Sequence, residues 1–74
     1  MAKHNVESEV AGNVWKVMMS AGDKVNEGDV IMILESMKME IPVEAPADGT
    51  LEQVLVAPED QVEEDQLLAV VMAD

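Results

Sequence analysis

An internal repeat is the feature that most constrains the fold of this chain. A shift of 37 positions brings Gly12 onto Gly49 (49 − 12 = 37) and aligns residues 11–35 with residues 48–72 without a gap. Glycine, aspartate and glutamate recur as identities, and apolar positions stay apolar at Val14/Leu51, Val17/Val54, Val25/Val62, Val30/Leu67, Ile31/Leu68 and Ile33/Val70. Halves this short cannot each bury a core. We therefore expect them to pack together about a pseudo-two-fold axis, in one domain that spans residues 1–74.

Each half has the pattern of β-strands rather than helices. Residues 14–19 and 51–56 are rich in strand formers, while 30–34 and 67–71 are short apolar runs bounded by acidic residues. Gly22 and Gly28 mark turns in the first half, and the prolines of the second half would interrupt a helix. The sequence predicts an all-β fold of about eight short strands, in two four-stranded sheets packed face to face. His4 is expected to lie in a frayed terminus.

Composition excludes several classes of function. The net charge of −12 argues against nucleic-acid binding, because phosphates would be repelled, and favours a monomer. With no cysteine and a single histidine, neither a metal cluster nor a catalytic triad is predicted. The acidic run over residues 59–65 lacks the spacing of a calcium loop. No apolar run approaches the roughly 20 residues of a membrane helix, and the N-terminus lacks the features of a signal peptide. We expect a cytoplasmic protein that is not an enzyme by itself.

The hexapeptide Glu35-Ser36-Met37-Lys38-Met39-Glu40 is the candidate functional site. It lies between two predicted strands, so residues 36–39 are expected to form a tight hairpin turn with the lysine at its tip. Exposed methionines are costly there, and flexible thioethers suit a surface that several partners recognise. A lysine amine is mostly protonated at neutral pH, so it needs an activated acyl donor to react. The pattern indicates a lysine that another protein recognises and modifies.

Together with Pro42, Ala45-Pro46, Gly49-Thr50 and the upstream run over residues 25–30, this hexapeptide resembles the biotinyl-attachment motif. Over residues 6–72 the chain is similar to stand-alone, single-domain members of the biotin/lipoyl attachment family. The resemblance implies a flattened antiparallel β-barrel with quasi-two-fold symmetry, whose lysine lies on a protruding hairpin. It also implies that a biotin protein ligase acylates Lys38 with biotin, which then carries CO2 between biotin carboxylase and carboxyltransferase subunits.

Roles of other residues follow from the same resemblance. Met37 and Met39 are predicted to be recognised by the ligase, and Glu35 and Glu40 are further candidates for that role. Lipoyl domains share the fold but usually place Asp and Ala beside the lysine, so the methionines favour biotin. Two alternatives remain open: a lipoyl carrier of a dehydrogenase complex, with lipoate in place of biotin, and an unmodified interaction module.

The chain departs from the family's pattern in the second half. Glu59 and Asp65 stand where the repeat aligns them with Gly22 and Gly28, two turn glycines of the first half. Glutamate accepts a left-handed backbone poorly. The turn of the second half is therefore expected to have a rebuilt or a strained backbone. The segment from Met18 to Asp23 is also too short for the protruding thumb that some bacterial members carry.

Overall fold

Eight β-strands make up the regular structure of the computed structural model, which describes residues 2–74. Their bounds are β1 Lys3–Glu7, β2 Gly12–Val17, β3 Lys24–Val25, β4 Val30–Ser36, β5 Met39–Glu44, β6 Gly49–Val54, β7 Gln61–Val62 and β8 Leu67–Ala73. They form two four-stranded antiparallel sheets, which confirms the predicted fold class. Within residues 2–74 there is no helix long and apolar enough to cross a membrane.

The two sheets are built in the same way. Sheet A has the strand order β1-β8-β6-β3, and sheet B has the order β5-β4-β2-β7. The shift found in the sequence converts β1 into β5, β2 into β6, β3 into β7 and β4 into β8, so each sheet contains strands from both halves. The halves therefore cannot separate without breaking both sheets.

The core lies between the sheets and is made by inward-facing apolar side chains. Its fully buried members include Val14, Ile31, Met32, Leu34, Leu51, Leu68 and Val71. Strands β2 and β4 of the first half and strands β6 and β8 of the second half all contribute side chains to this one core. A bulge interrupts pairing at Trp15 in β2 and at Glu52, the equivalent position in β6.

The N-terminal strand corrects the prediction of a frayed terminus at His4. His4 lies in β1, where it is the register partner of Val71 in β8. The five residues of β1 are mostly polar and exposed, so no hydrophobic pattern marks them as a strand. Pairing with β8 forms this strand, as pairing with β4 forms its repeat partner β5.

The turns keep the same backbone in both halves. Gly22 and Gly28 have φ of 99° and 92°, and Glu59 and Asp65 have φ of 76° and 68°. The backbone N–H of Gly22 donates to the Leu51 carbonyl at 2.7 Å, and that of Glu59 donates to the Val14 carbonyl at 2.7 Å. The second half thus retains a glycine-type conformation without the glycines. A left-handed backbone costs a side-chain-bearing residue roughly 1–2 kcal/mol.

Glu59→Gly is expected to raise the free energy of unfolding by about 0.5 kcal/mol. Relief of the left-handed strain, on the order of 1 kcal/mol or more, exceeds the roughly 0.4–1 kcal/mol of chain entropy that glycine adds. Removing one carboxylate from the acidic segment 59–65 acts in the same direction. Urea unfolding of the wild type and the Glu59→Gly protein measures the difference in their free energies of unfolding.

Glu64→Gly is the matched control for this substitution. Glu64 is exposed, lies in the turn on the other side of β7 and is not at positive φ, so its replacement should destabilise the protein through chain entropy. A Glu59→Gly protein that is clearly less stable than the wild type would show that the loop fits glutamate well.

Candidate functional site

Strands β4 and β5 form a hairpin that carries Lys38 at its tip. Leu34 is the register partner of Ile41, Glu35 of Glu40 and Ser36 of Met39. Pairing therefore continues to the last residue before the loop, and only Met37 and Lys38 remain unpaired. Inward-facing Leu34 is 1% exposed, which ties the base of the hairpin to the core while the tip extends beyond it.

The two loop residues both have a left-handed backbone, with φ of 51° at Met37 and 66° at Lys38. A two-residue hairpin loop with positive φ at both positions is the type I′ turn, which favours Asn-Gly because other residues are strained there. Methionine and lysine each cost roughly 1–2 kcal/mol in this conformation. Backbone strain of this kind concentrates at functional sites, so the tip has the character of a site rather than of a neutral turn.

The end of β4 next to the tip is held against the start of β2. The Ser36 hydroxyl donates a hydrogen bond to the Ala11 carbonyl oxygen at 2.8 Å. At Gly12 a β-carbon would press on the Glu35 carbonyl oxygen and would lie 3.1 Å from Cβ of Ser36. Only glycine lets β2 approach β4 this closely. The repeat aligns Gly12 with Gly49, but no feature of the sequence indicates that this close approach requires glycine.

The side chains at the tip are exposed to solvent. Met37 is 92% exposed and Met39 is 65% exposed, although both are large and apolar. Lys38 is also exposed, and among residues 2–74 no carboxylate lies within ion-pairing distance of its amine. The structure thus presents a free amine between two thioethers on a narrow projection. This arrangement suits enclosure of the tip by another protein.

The other lysines have different surroundings. Lys3 pairs with Glu52 at 3.0 Å, and the Lys16 amine lies 4.6 Å from the centroid of the Trp15 ring. Lys24 lies in the two-residue strand β3. All three belong to strands, and only Lys38 lies on a turn.

Glu35 and Glu40 lie side by side below the tip. They are direct cross-strand partners and both are exposed. Like charges placed opposite each other destabilise a sheet, so the stability of the fold does not explain why both residues are acidic. They give the base of the tip a negative surface that would favour a basic partner.

Two shallow depressions lie beside the hairpin and do not include Lys38. One, of about 320 Å³, is lined by Asn13, Val14, Trp15, Glu35 and Glu59. The other, of about 240 Å³, lies between β1 and β5. Within residues 2–74 no group of three or more histidine, aspartate or glutamate side chains is arranged to hold a metal ion.

Comparison with known proteins identifies the family of this chain. A family model described as "Biotin-requiring enzyme" matches residues 4–74. The biotin/lipoyl attachment protein of Bacillus subtilis is 44% identical over 63 residues, which cover 85% of this chain and 86% of that protein. The biotinylated protein TB7.3 homolog of Mycobacterium leprae is 42% identical over 67 residues, which cover 90% of this chain and 94% of that protein.

A solved structure shows the same fold within a larger enzyme. Part of the Kluyveromyces lactis urea carboxylase superposes with a TM-score of 0.91 and 35% sequence identity. The match covers 97% of this chain and 6% of that one. The chain belongs to the biotin/lipoyl attachment family. It is a biotin-type carrier domain, homologous to the biotinyl domains of carboxylases.

Proposed function

We propose that this chain is a biotin carrier, and that a biotin protein ligase attaches biotin to Lys38 through an amide bond. The observation that carries the proposal is the strained two-residue tip, which exposes a free lysine amine between two exposed methionines. Lys38 is exposed and its amine has no ion-pair partner among residues 2–74, so the residues present fit the covalent group.

Acylation of Lys38 takes two chemical steps. Its amine must lose a proton to the ligase, because only the neutral form is nucleophilic. The nitrogen then attacks the acyl carbon of biotinyl-adenylate: a C–N bond forms, the C–O bond to AMP breaks, AMP departs with the electron pair, and the nitrogen releases a second proton to give the neutral amide. The type I′ turn fixes the backbone on both sides of the lysine, which limits the conformational entropy lost when the ligase encloses the tip.

In this proposal the chain has no catalytic residues and acts as the carrier component of a biotin-dependent carboxylase system. When attached, biotin supplies the position at which CO2 is held on its way from the biotin carboxylase subunit to the carboxyltransferase subunit. The chain's part is to present Lys38 on a rigid hairpin to each partner in turn. We propose that it does so as a cytoplasmic monomer, without binding nucleic acid or membranes.

Carboxylation of the modified protein tests the carrier role. The chain is incubated with ligase, ATP and biotin, and then with biotin carboxylase, ATP and isotopically labelled bicarbonate. Acid-labile label should appear on the biotin-treated protein, and protein that has not met the ligase is the control. Equal labelling of the two preparations would contradict the proposal, and absence of any acyl group would favour an unmodified interaction module.

Met37 and Met39 are proposed to select the ligase, with Glu35 and Glu40 as secondary contacts. Changing Met37 to Asp and Met39 to Ala should shift modification from biotin towards lipoate. Since both side chains are exposed, the free energy of unfolding should fall by less than about 1.5 kcal/mol. Intact mass after incubation with each ligase, together with a urea titration, gives both results.

A matched control for this pair is Met18→Ala. Met18 is 54% exposed but follows the far end of β2, away from the hairpin. Its replacement should leave the choice between biotin and lipoate unchanged. A large loss of stability in the Met37→Asp, Met39→Ala variant would mean that these methionines support the fold, and the specificity proposal would fail.

A further inference from the structure

The methionines of this chain differ widely in exposure. Met32 is fully buried in the core and Met18 is 54% exposed, whereas Met37 and Met39 reach 92% and 65%. The two most exposed thioethers among residues 2–74 therefore flank Lys38. Neither contributes to the core, so a chemical change at either sulfur leaves the packing of the two sheets intact.

An exposed thioether is oxidised by hydrogen peroxide to a sulfoxide. A sulfur lone pair attacks one peroxide oxygen, an S–O bond forms, the O–O bond breaks and water departs. Sulfur loses two electrons and peroxide gains them. Hydrogen peroxide is uncharged, so neither the net charge of −12 nor the carboxylates of Glu35 and Glu40 repel it from the tip.

We propose that Met37 and Met39 form an oxidation site for peroxide, and that sulfoxide formation there blocks acylation of Lys38. The second part rests on the proposed function, since it requires Lys38 to be the acceptor. A protein that encloses the tip must bury both thioethers. A sulfoxide brings a polar oxygen into that contact, and burying it without a hydrogen-bond donor is unfavourable.

Peroxide treatment of the purified protein tests the proposal. Peptide mass mapping should find sulfoxide first at Met37 and Met39, later at Met18 and last at Met32, and it separates these sulfurs from Met1, which lies outside the described residues. The kcat/KM of a biotin protein ligase for the treated protein should fall at least about tenfold, which corresponds to roughly 1.4 kcal/mol. The thermal midpoint should stay unchanged.

Reversal and variants assign the effect to the tip. Methionine sulfoxide reductases A and B should restore the ligase rate. Met18→Leu should remain sensitive to peroxide. In the Met37→Leu, Met39→Leu variant, whatever its starting rate, the ratio of treated to untreated rate should be close to one.

Three results would overturn the inference. One is acylation, at the untreated rate, of a protein that carries both sulfoxides. The second is a loss of rate that persists in the Met37→Leu, Met39→Leu variant, and the third is a loss that the reductases do not repair. Failure of the proposed function looks different, because the untreated protein would then gain no biotin at all, and the consequence of oxidation proposed here would fall with it.

Discussion

Lys38→Arg is expected to abolish biotinylation completely while leaving the fold intact. Arginine keeps the positive charge and the length of the side chain, but its guanidinium is not deprotonated in proteins and forms no amide with the activated acyl group. Residue 38 is exposed and already has a left-handed backbone, so lysine and arginine bear similar strain. Intact mass after incubation with ligase, ATP and biotin should show no adduct on the variant.

Lys24→Arg is the matched control for the acceptor. Lys24 is also exposed, but it lies in β3 rather than on a turn, and its replacement should leave full modification. A biotin adduct on the Lys38→Arg protein would assign the acceptor to Lys3, Lys16 or Lys24 and contradict the site.

Gly49→Ala is expected to destabilise the fold strongly. A β-carbon at residue 49 would overlap the carbonyl oxygen of Met72 and would lie 2.8 Å from Cα of Ala73. These are backbone atoms of β8, so the clash is relieved only by separating β6 from β8 at the point where Gly49 pairs with Ala73. Overpacking of this kind costs about 3 kcal/mol.

For a domain of this size, a loss of about 3 kcal/mol lowers the thermal midpoint by roughly 12–24 °C. Gly28→Ala is the control, because a β-carbon there meets no atom within 4 Å and only the φ of 92° is unfavourable. It should cost about 1–2 kcal/mol. If Gly49→Ala and Gly28→Ala have the same thermal midpoint, the strands separate easily, and the close approach of β6 and β8 is unimportant for stability.

The repeat made much of the fold predictable from sequence. Aligning Gly12 with Gly49 placed the long strands and required a shared core. It also indicated that Glu59 and Asp65 stand at turn positions where the first half has glycine, and both residues have positive φ. The short strands were harder to predict. β3 and β7 have two residues each. They form by pairing with β6 and β2 and are supported by backbone hydrogen bonds of the adjoining turns, and no hydrophobic pattern marks them.

The site was only partly predictable. The motif indicated Lys38 and a hairpin over residues 36–39, but nothing in Met37 or Lys38 favours a type I′ turn, and local propensity argues against it. The pairing of β4 with β5 up to Ser36 and Met39 imposes that turn. The contacts of Gly12 and Ser36 with neighbouring backbone depend on tertiary structure, and no local pattern reveals them.

Intact mass of the wild-type chain, co-expressed with a biotin protein ligase in one culture and with a lipoate ligase in another, tests the biotin-carrier proposal most directly. We expect one biotinyl group per chain in the first culture and unmodified protein in the second, with peptide mapping placing the group on Lys38. Two results would contradict the account. One is a lipoyl group on the protein of the second culture with no biotinyl group on that of the first, and the other is unmodified protein in both cultures.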